Sequence, residues 1–476
     1  MPRDGRSLRS TCARANNTRA ALRLVGTAVA TLLLFSQPDV RADDARSSAP
    51  ETAAERGYRW LTTKPYIPVA FDQEVFDELW RVWETPLRNQ AAKASIEERR
   101  RMAFARYGFT ESPDHAGPVP MQYVDDRQGG RVINCLACHG GKVLGRPLPG
   151  LPNSHFAMQT FNDEVRSIKL RQGKLTTIEL ASAPFPMGSS NGTTNAVMFG
   201  VALGSLRDKH LNVRFRDDPP AFVHHDMDAP PWWNVKKKTY LYIDGFVPKS
   251  PRALMQFLMV PQNGAEKFRE WETDFEDLFA WIESLEPPKY PFAIDRTLAA
   301  DGHKLFEQSC SRCHGTYGDN EAYPNKLVPI DEVGTDRVRL DALTPAQRQG
   351  YETSWFGQRD DKPVIADPGG YVAPPLDGIW ASAPYLHNGS VPTLWHLFHA
   401  SARPIVWQRS EDGYDTDKVG LEATAMRELP EETTDPKQKR RYFDTRLFGK
   451  SAQGHAFPEE LSEPEKRAVI EYLKTL

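Results

Sequence analysis

The chain has 476 residues, 40% of them hydrophobic, and a formal net charge of −3. That supplies cores for two or three domains, and a near-neutral balance without a long basic block argues against nucleic acid as a partner. Proline (38) and glycine (32) are plentiful, which predicts a loop-rich, mostly helical protein and not a regular α/β repeat.

At the N-terminus, Arg19 and Arg23 precede the apolar run LVGTAVATLLLF at 24–35, and Val40 and Ala42 stand where a cleavage after Ala42 needs small residues. This is the pattern of an export signal over residues 1–42. The run is 12 residues long, too short to cross about 30 Å of hydrocarbon as a helix. No later segment reads as a span, so the expectation is a periplasmic or otherwise exported protein without a membrane span.

Five cysteines follow the same division. Cys12 falls in the leader; Cys135, Cys138, Cys310 and Cys313 all belong to Cys-x-x-Cys-His, as CLACH at 135–139 and CSRCH at 310–314. This motif attaches c-type haem. Its two thiols, one helical turn apart, add to the two vinyl groups of the porphyrin, and the next histidine is aimed at the iron. A dithiol redox pair needs no such histidine, and zinc needs further ligands nearby. Two covalently attached haems are therefore expected, with His139 and His314 as proximal ligands.

Between and around the motifs, SIEERRRMAFARYGF at 95–109 predicts a helix, whereas RQGGRVIN before Cys135 is not helical in pattern. An insertion follows at 228–246, DAPPWWNVKKKTYLYIDGF, whose Lys236, Lys237 and Lys238 read as a solvated face. The stretch 250–264 contains Met255, Phe257 and Met259 but no histidine. LFAWIESL at 278–285 and VIEYLKTL at 469–476 share their spacing, and each follows one haem motif. EPPKYPF at 286–292 breaks the first of these helices and serves as a linker. DGHKLFEQSC at 301–310, with Gly302 four residues before Phe306, resembles the N-terminal helix of the small cytochrome c fold. Ser462 and Glu465 form a capping box, after which Val469, Tyr472, Leu473 and Leu476 share one face. The loop ahead of that helix, 449–462, offers His455 and no methionine, which makes His455 the expected distal ligand of the second haem. The expected fold is mainly α: a first cytochrome c-like haem domain with insertions at 43–290 and a second at 291–476, joined by long loops.

Together with SSNGTTNAVMF at 189–199 and PPLDGIWASAPYLHNGSVPTL at 374–394, the two haem motifs resemble the bacterial di-haem cytochrome c peroxidase and MauG superfamily. The resemblance covers most of the mature chain and is close only in the second half. It implies that His387, in the Pro-Tyr-x-His-x-Gly segment, lies near the second haem and organises it by hydrogen bonding, with iron ligation as the alternative. Peroxidases of the family carry a histidine shortly before the asparagine/threonine segment; SAPFPMGSS at 182–190 has none, and His155 lies well before it. That departure points away from simple peroxide removal and towards the rubber-oxygenase-like branch. There Phe257 would cover an open first haem, and Tyr242 or Trp233 would be the redox-active aromatic; Met255 or Met259 would instead close that haem. Superfamily members also bind calcium, and Asn191 and Asn195 match that segment.

Two functions remain in view. One is an oxidoreductase that activates peroxide or dioxygen at the first haem, with the second in electron transfer and an unidentified reductant or organic substrate. The other is a non-catalytic electron carrier with both irons six-coordinate, alone or as partner to a membrane dehydrogenase.

Overall fold

Two pairs of crossing helices frame the chain in its computed structural model, which describes residues 50–476 apart from 115–118, 177–178, 181–184, 215–220 and 360–361. The leader expected at 1–42 lies outside the described residues. The helix Arg296–Ser309 starts on Asp295, whose carboxylate accepts the N–H groups of Thr297 and Leu298. It crosses the terminal helix Glu463–Leu473 at Gly302. A Cβ on Gly302 would lie 1.9 Å from the Ala468 carbonyl oxygen, so only glycine permits this approach. Phe306, Val469 and Tyr472 are buried around the crossing. The capping box of Ser462 with Glu465 forms as read from the sequence.

The first half repeats the arrangement, but not with the helix at 95–109. Helix Ala53–Thr63, capped by a Thr52–Glu55 box, crosses Glu272–Ser284. Here a Cβ on Gly57 would lie 2.0 Å from the Asp277 carbonyl oxygen. Helix Ile96–Tyr107 does form, between Ser95 as N-cap and the left-handed Gly108. Its buried Ala103 and Tyr107 join a separate aromatic cluster with Phe71, Phe109 and Phe161.

Small antiparallel sheets link the helices, one of which explains the non-helical approach to Cys135. Strand Gly130–Ile133 is the centre of a three-stranded sheet, flanked by Phe71–Asp72 and Tyr123–Asp125. In a second such sheet, Val406–Asp415 lies between Gly420–Met426 and Tyr442–Asp444, with its register broken between Arg409 and Tyr414. The two-residue to four-residue strands of the first sheet carry too few residues for an alternating pattern.

Residues Glu51–Leu476 cluster as one unit, and the halves on either side of residue 290 share a core. Leu151 and Trp233 are buried in one cluster with Phe306, Tyr385, Trp407 and Val469. The lysine run in the insertion is not the solvated face expected. Lys237 Nζ donates to both carboxylate oxygens of Asp377 at 2.6 and 2.8 Å, Lys236 pairs with Glu286, and burial pulls Lys238 down to about 8. Carboxylates from distant parts of the chain pair with Lys236 and Lys237 and pin the insertion down. Among the described residues, no helix is long and apolar enough to cross a membrane.

Candidate functional site

Each Cys-x-x-Cys-His motif folds as one helical turn, Leu136–His139 and Ser311–His314, with the first cysteine as N-cap. Asn134 sets the first turn: its Oδ1 accepts the Leu136 N–H at 2.9 Å. All four cysteines are unbridged and half-buried. Burial pushes the Cys135 thiol up to about 12 and those of Cys138 and Cys310 up to about 11. A dithiol redox pair relies on a depressed pKa, so that reading loses ground.

The proximal histidines are oriented alike. His139 Nδ1 donates to the Pro230 carbonyl at 3.1 Å, and His314 Nδ1 donates to the Pro374 carbonyl at 2.8 Å. Each bond fixes the tautomer that leaves Nε2 free to ligate. Burial holds His139 down at about 4 and also lowers His314, keeping both in the neutral form a metal requires.

Opposite His314 stands His455, with ring centroids 6.1 Å apart and planes at 62°. A ring nitrogen lies about 1.1 Å from its centroid and bonds a first-row metal at about 2.0 Å, so two imidazoles sharing one iron would sit about 6.2 Å apart. The donor set and its spacing thus fit a haem with two axial histidines. The loop is held in place by its backbone. His455 N–H donates to Val333 O at 2.6 Å, and Arg403 Nη1 donates to the carbonyls of Ala452 and Gly454 at 2.6 and 2.7 Å. His455 Nδ1 has no partner among the described residues. The histidine facing His314 is thus His455, while the His387 ring lies 4.6 Å from that of Tyr371.

Around His139 the structure assembles residues from the insertion. The Trp232 ring stacks on His139 at 4.3 Å and 20°. Trp233, 1% exposed, donates from Nε1 to Asp377 O at 2.7 Å, and Asn234 Nδ2 donates to Pro375 O at 2.9 Å. The segment 230–234 therefore touches His139 twice and also binds the strand of chain that holds His314. Tyr242 lies elsewhere: its OH donates to Ala253 O at 3.1 Å and its ring stacks on Phe246. Met255, Leu258 and Met259 are buried in a cluster with Leu203, Phe268 and Trp271, while Phe257 is half-buried and outside that cluster.

Trp232, Asn234 and the two proline carbonyls were not singled out by sequence reasoning; the adjacent tryptophans of PPWW were the only signal. A histidine was missed as well. His224 reaches the asparagine/threonine segment from the far side in sequence, with Nδ1 2.9 Å from Asn195 Nδ2. His155 is held down at about 3, first by burial and then by Arg409. The described residues contain no group of three or more His, Cys, Asp or Glu placed to hold a metal ion.

A family model described as RoxA-like, cytochrome c-like matches residues 370–408, the stretch containing Tyr371, Pro374, Asp377 and His387. The match relates the chain to the cytochrome c proteins and implies a c-type haem. Two proteins of Sinorhizobium fredii are similar in part. Uncharacterized protein y4iM is 34% identical over 165 residues, 29% of this chain and 37% of that protein. Uncharacterized protein y4iJ is 28% identical over 258 residues, 40% of this chain and 41% of that protein. The chain thus spans about two fifths of the length of the curated relatives it matches.

Proposed function

We propose that this chain is an exported di-haem c-type cytochrome oxidoreductase of the di-haem peroxidase and MauG superfamily, on its rubber-oxygenase-like branch. It activates peroxide or dioxygen at the N-terminal motif and uses the C-terminal motif for electron transfer. The observation that carries this reading is the segment 230–234, which connects the surroundings of the two proximal histidines. Bound at the two motifs, haem supplies oxygen activation and one-electron transfer. The chain's own residues do the rest. Cys135, Cys138, Cys310 and Cys313 hold the groups, and the carbonyls of Pro230 and Pro374 orient His139 and His314. His455 fills the position opposite His314, which leaves ligand chemistry to the N-terminal motif. Phe257 limits water there, and Trp232 with Trp233 forms the contact path between the motifs.

A second reading, the electron carrier, is favoured by His224, because its ring nitrogen reaches Asn195 of the asparagine/threonine segment. The test is a carbon monoxide and cyanide titration of the holoprotein, followed optically and by electron paramagnetic resonance. One ligand-binding haem in the wild type supports the oxidoreductase. Two inert haems, with one opened by His224→Ala, would make the protein a carrier.

A further inference from the structure

A guanidinium buried without its full set of partners stands close to the C-terminal motif. Arg339 is 1% exposed, and its Nε and Nη1 have no hydrogen-bond partner among the described residues. Among the described residues its one acidic contact is Asp244, itself fully buried. Nη2 donates to Oδ1 at 3.2 Å, and Nη1 lies 3.1 Å from Oδ2 but is misaligned for a hydrogen bond. Asp244 is shared with Arg348, also 1% exposed, whose Nη1 donates to Oδ2. Two guanidinium groups on one carboxylate leave a buried positive charge in excess, a costly arrangement unless another anion completes it. Among the described residues the nearby carboxylates do not supply it. Asp336 spends its oxygens on the N–H groups of Val338 and Ser451, Asp226 pairs with Lys450, and Asp367, beside Arg348, is exposed.

The position of this excess charge is specific. Val333, six residues before Arg339, holds the His455 backbone. Tyr371, whose OH accepts the Leu340 N–H at 3.1 Å, lies against His387 and three residues before Pro374, the acceptor of His314. His225, 4% exposed, packs beside Gly449 together with Val338. Its Nδ1 is engaged with Val223 O, and its Nε2 has no partner among the described residues. Two buried groups thus present nitrogens unpaired among the described residues around the second motif, and the excess charge is positive.

We propose that Arg339, supported by His225, is the receptor for a carboxylate of a bound haem. A haem carries two such carboxylates, and a guanidinium edge matches a carboxylate bidentately. The inference rests on the proposed di-haem reading. With the carboxylate in place, Asp244 and the haem acid each neutralise one guanidinium, and the group is fixed at its edge as well as by its thioethers and axial histidines. Arg339 is a positioning residue that stabilises the reduced iron through the field of its charge.

The experiment is Arg339→Gln in the full-length holoprotein, with haem content by mass, folding by thermal melting and both reduction potentials by spectroelectrochemistry. The expected result is two haems retained and, at a fixed applied potential, a reduced-to-oxidised ratio about tenfold lower at one haem, 59 mV for one electron. The spectrum of the shifted haem, low-spin with two histidines or not, assigns the carboxylate to the C-terminal or the N-terminal motif. Both ratios within twofold of wild type in a loaded, folded variant would overturn the proposal and leave the di-haem reading intact. Absence of haem from the second motif in the wild type would remove that reading itself. Where Arg339→Gln does not accumulate, Arg339→Lys keeps the charge and loses the fork. The propionate bending band in resonance Raman must then move at one haem, and an unchanged band at both overturns the assignment.

Discussion

Gly302→Ala tests the helix crossing directly. The added Cβ would stand 1.9 Å from the Ala468 carbonyl oxygen and 3.0 Å from Tyr472 Cβ, where contacts under 3.0 Å are not tolerated. The helices must therefore separate by at least 3.0 − 1.9 = 1.1 Å, and the obstructing atom is backbone, which cannot swing aside. Overpacking of this kind costs about 1–3 kcal/mol, and a gap of that size forfeits a quarter to a half of the dispersion contacts along the seam. Alanine returns about 0.5–1 kcal/mol of helix propensity, so a net loss of about 1–2 kcal/mol is expected. Gly350 is the control. It lies inside the helix Pro345–Glu352, and a Cβ there meets nothing within 4 Å. Gly350→Ala should then gain about 0.5–1 kcal/mol. Urea unfolding of the two holoproteins, followed by far-ultraviolet circular dichroism, reads both values. Equal midpoints for Gly302→Ala and wild type, or an equal loss for Gly350→Ala, would refute the close-approach argument.

Three further outcomes follow from the site and its supports. His455→Ala should convert one low-spin haem to high-spin in the electron paramagnetic resonance spectrum; His387→Ala should not, and the reverse pattern would reassign the ligand. Burial alone would raise the carboxyl of Asp226, but Lys450 and the hydroxyls of Thr193 and Ser189 outweigh it, and its pKa is lowered. Its contribution is therefore present above the unfolded value of about 3.9 and lost as pH falls through the lower folded value. Asp226→Asn should cost about 3–5 kcal/mol at pH 7, since it leaves Lys450 buried and unpaired, and should flatten the acid limb of a stability titration. Trp233→Phe keeps the bulk but loses the bond to Asp377 O. It should slow electron re-equilibration between the haems after flash photolysis of the carbon monoxide adduct, while an unchanged rate would exclude the 230–234 path.

What was legible in the sequence was local. A Cys-x-x-Cys-His motif completes its covalent chemistry within five residues, and the terminal helix announces itself through Ser462, Glu465 and a regular apolar face. His455 stood out because its loop offered no competing ligand, and its ring faces that of His314. Helix Ala53–Thr63 escaped because its inward face is narrow, with only Gly57 and Leu61 fully buried. A glycine between Arg56 and Tyr58 reads as a breaker until the carbonyl of Asp277 is seen against it. Arg339 and His225 were invisible for another reason. Their meaning lies in missing partners, and a missing partner is a property of the packed chain. The lysine run was misread on the same grounds, because Asp377, which neutralises Lys237, is 140 residues away.

Trp233 also bears on whether the protein can be divided. Its indole is part of the wall of the C-terminal core, in one cluster with Phe306, Tyr385 and Val469. A gene fragment encoding only residues 291–476 would carry the whole second Cys-x-x-Cys-His motif, His455 and both crossing helices, yet it would fold around an indole-shaped hole. Losing a buried tryptophan costs about 3–5 kcal/mol, a large share of the 5–15 kcal/mol that holds a domain together. A recombinant half-protein should therefore be recovered in good yield only when residues 228–246 are supplied with it, as a fused segment or as an added peptide.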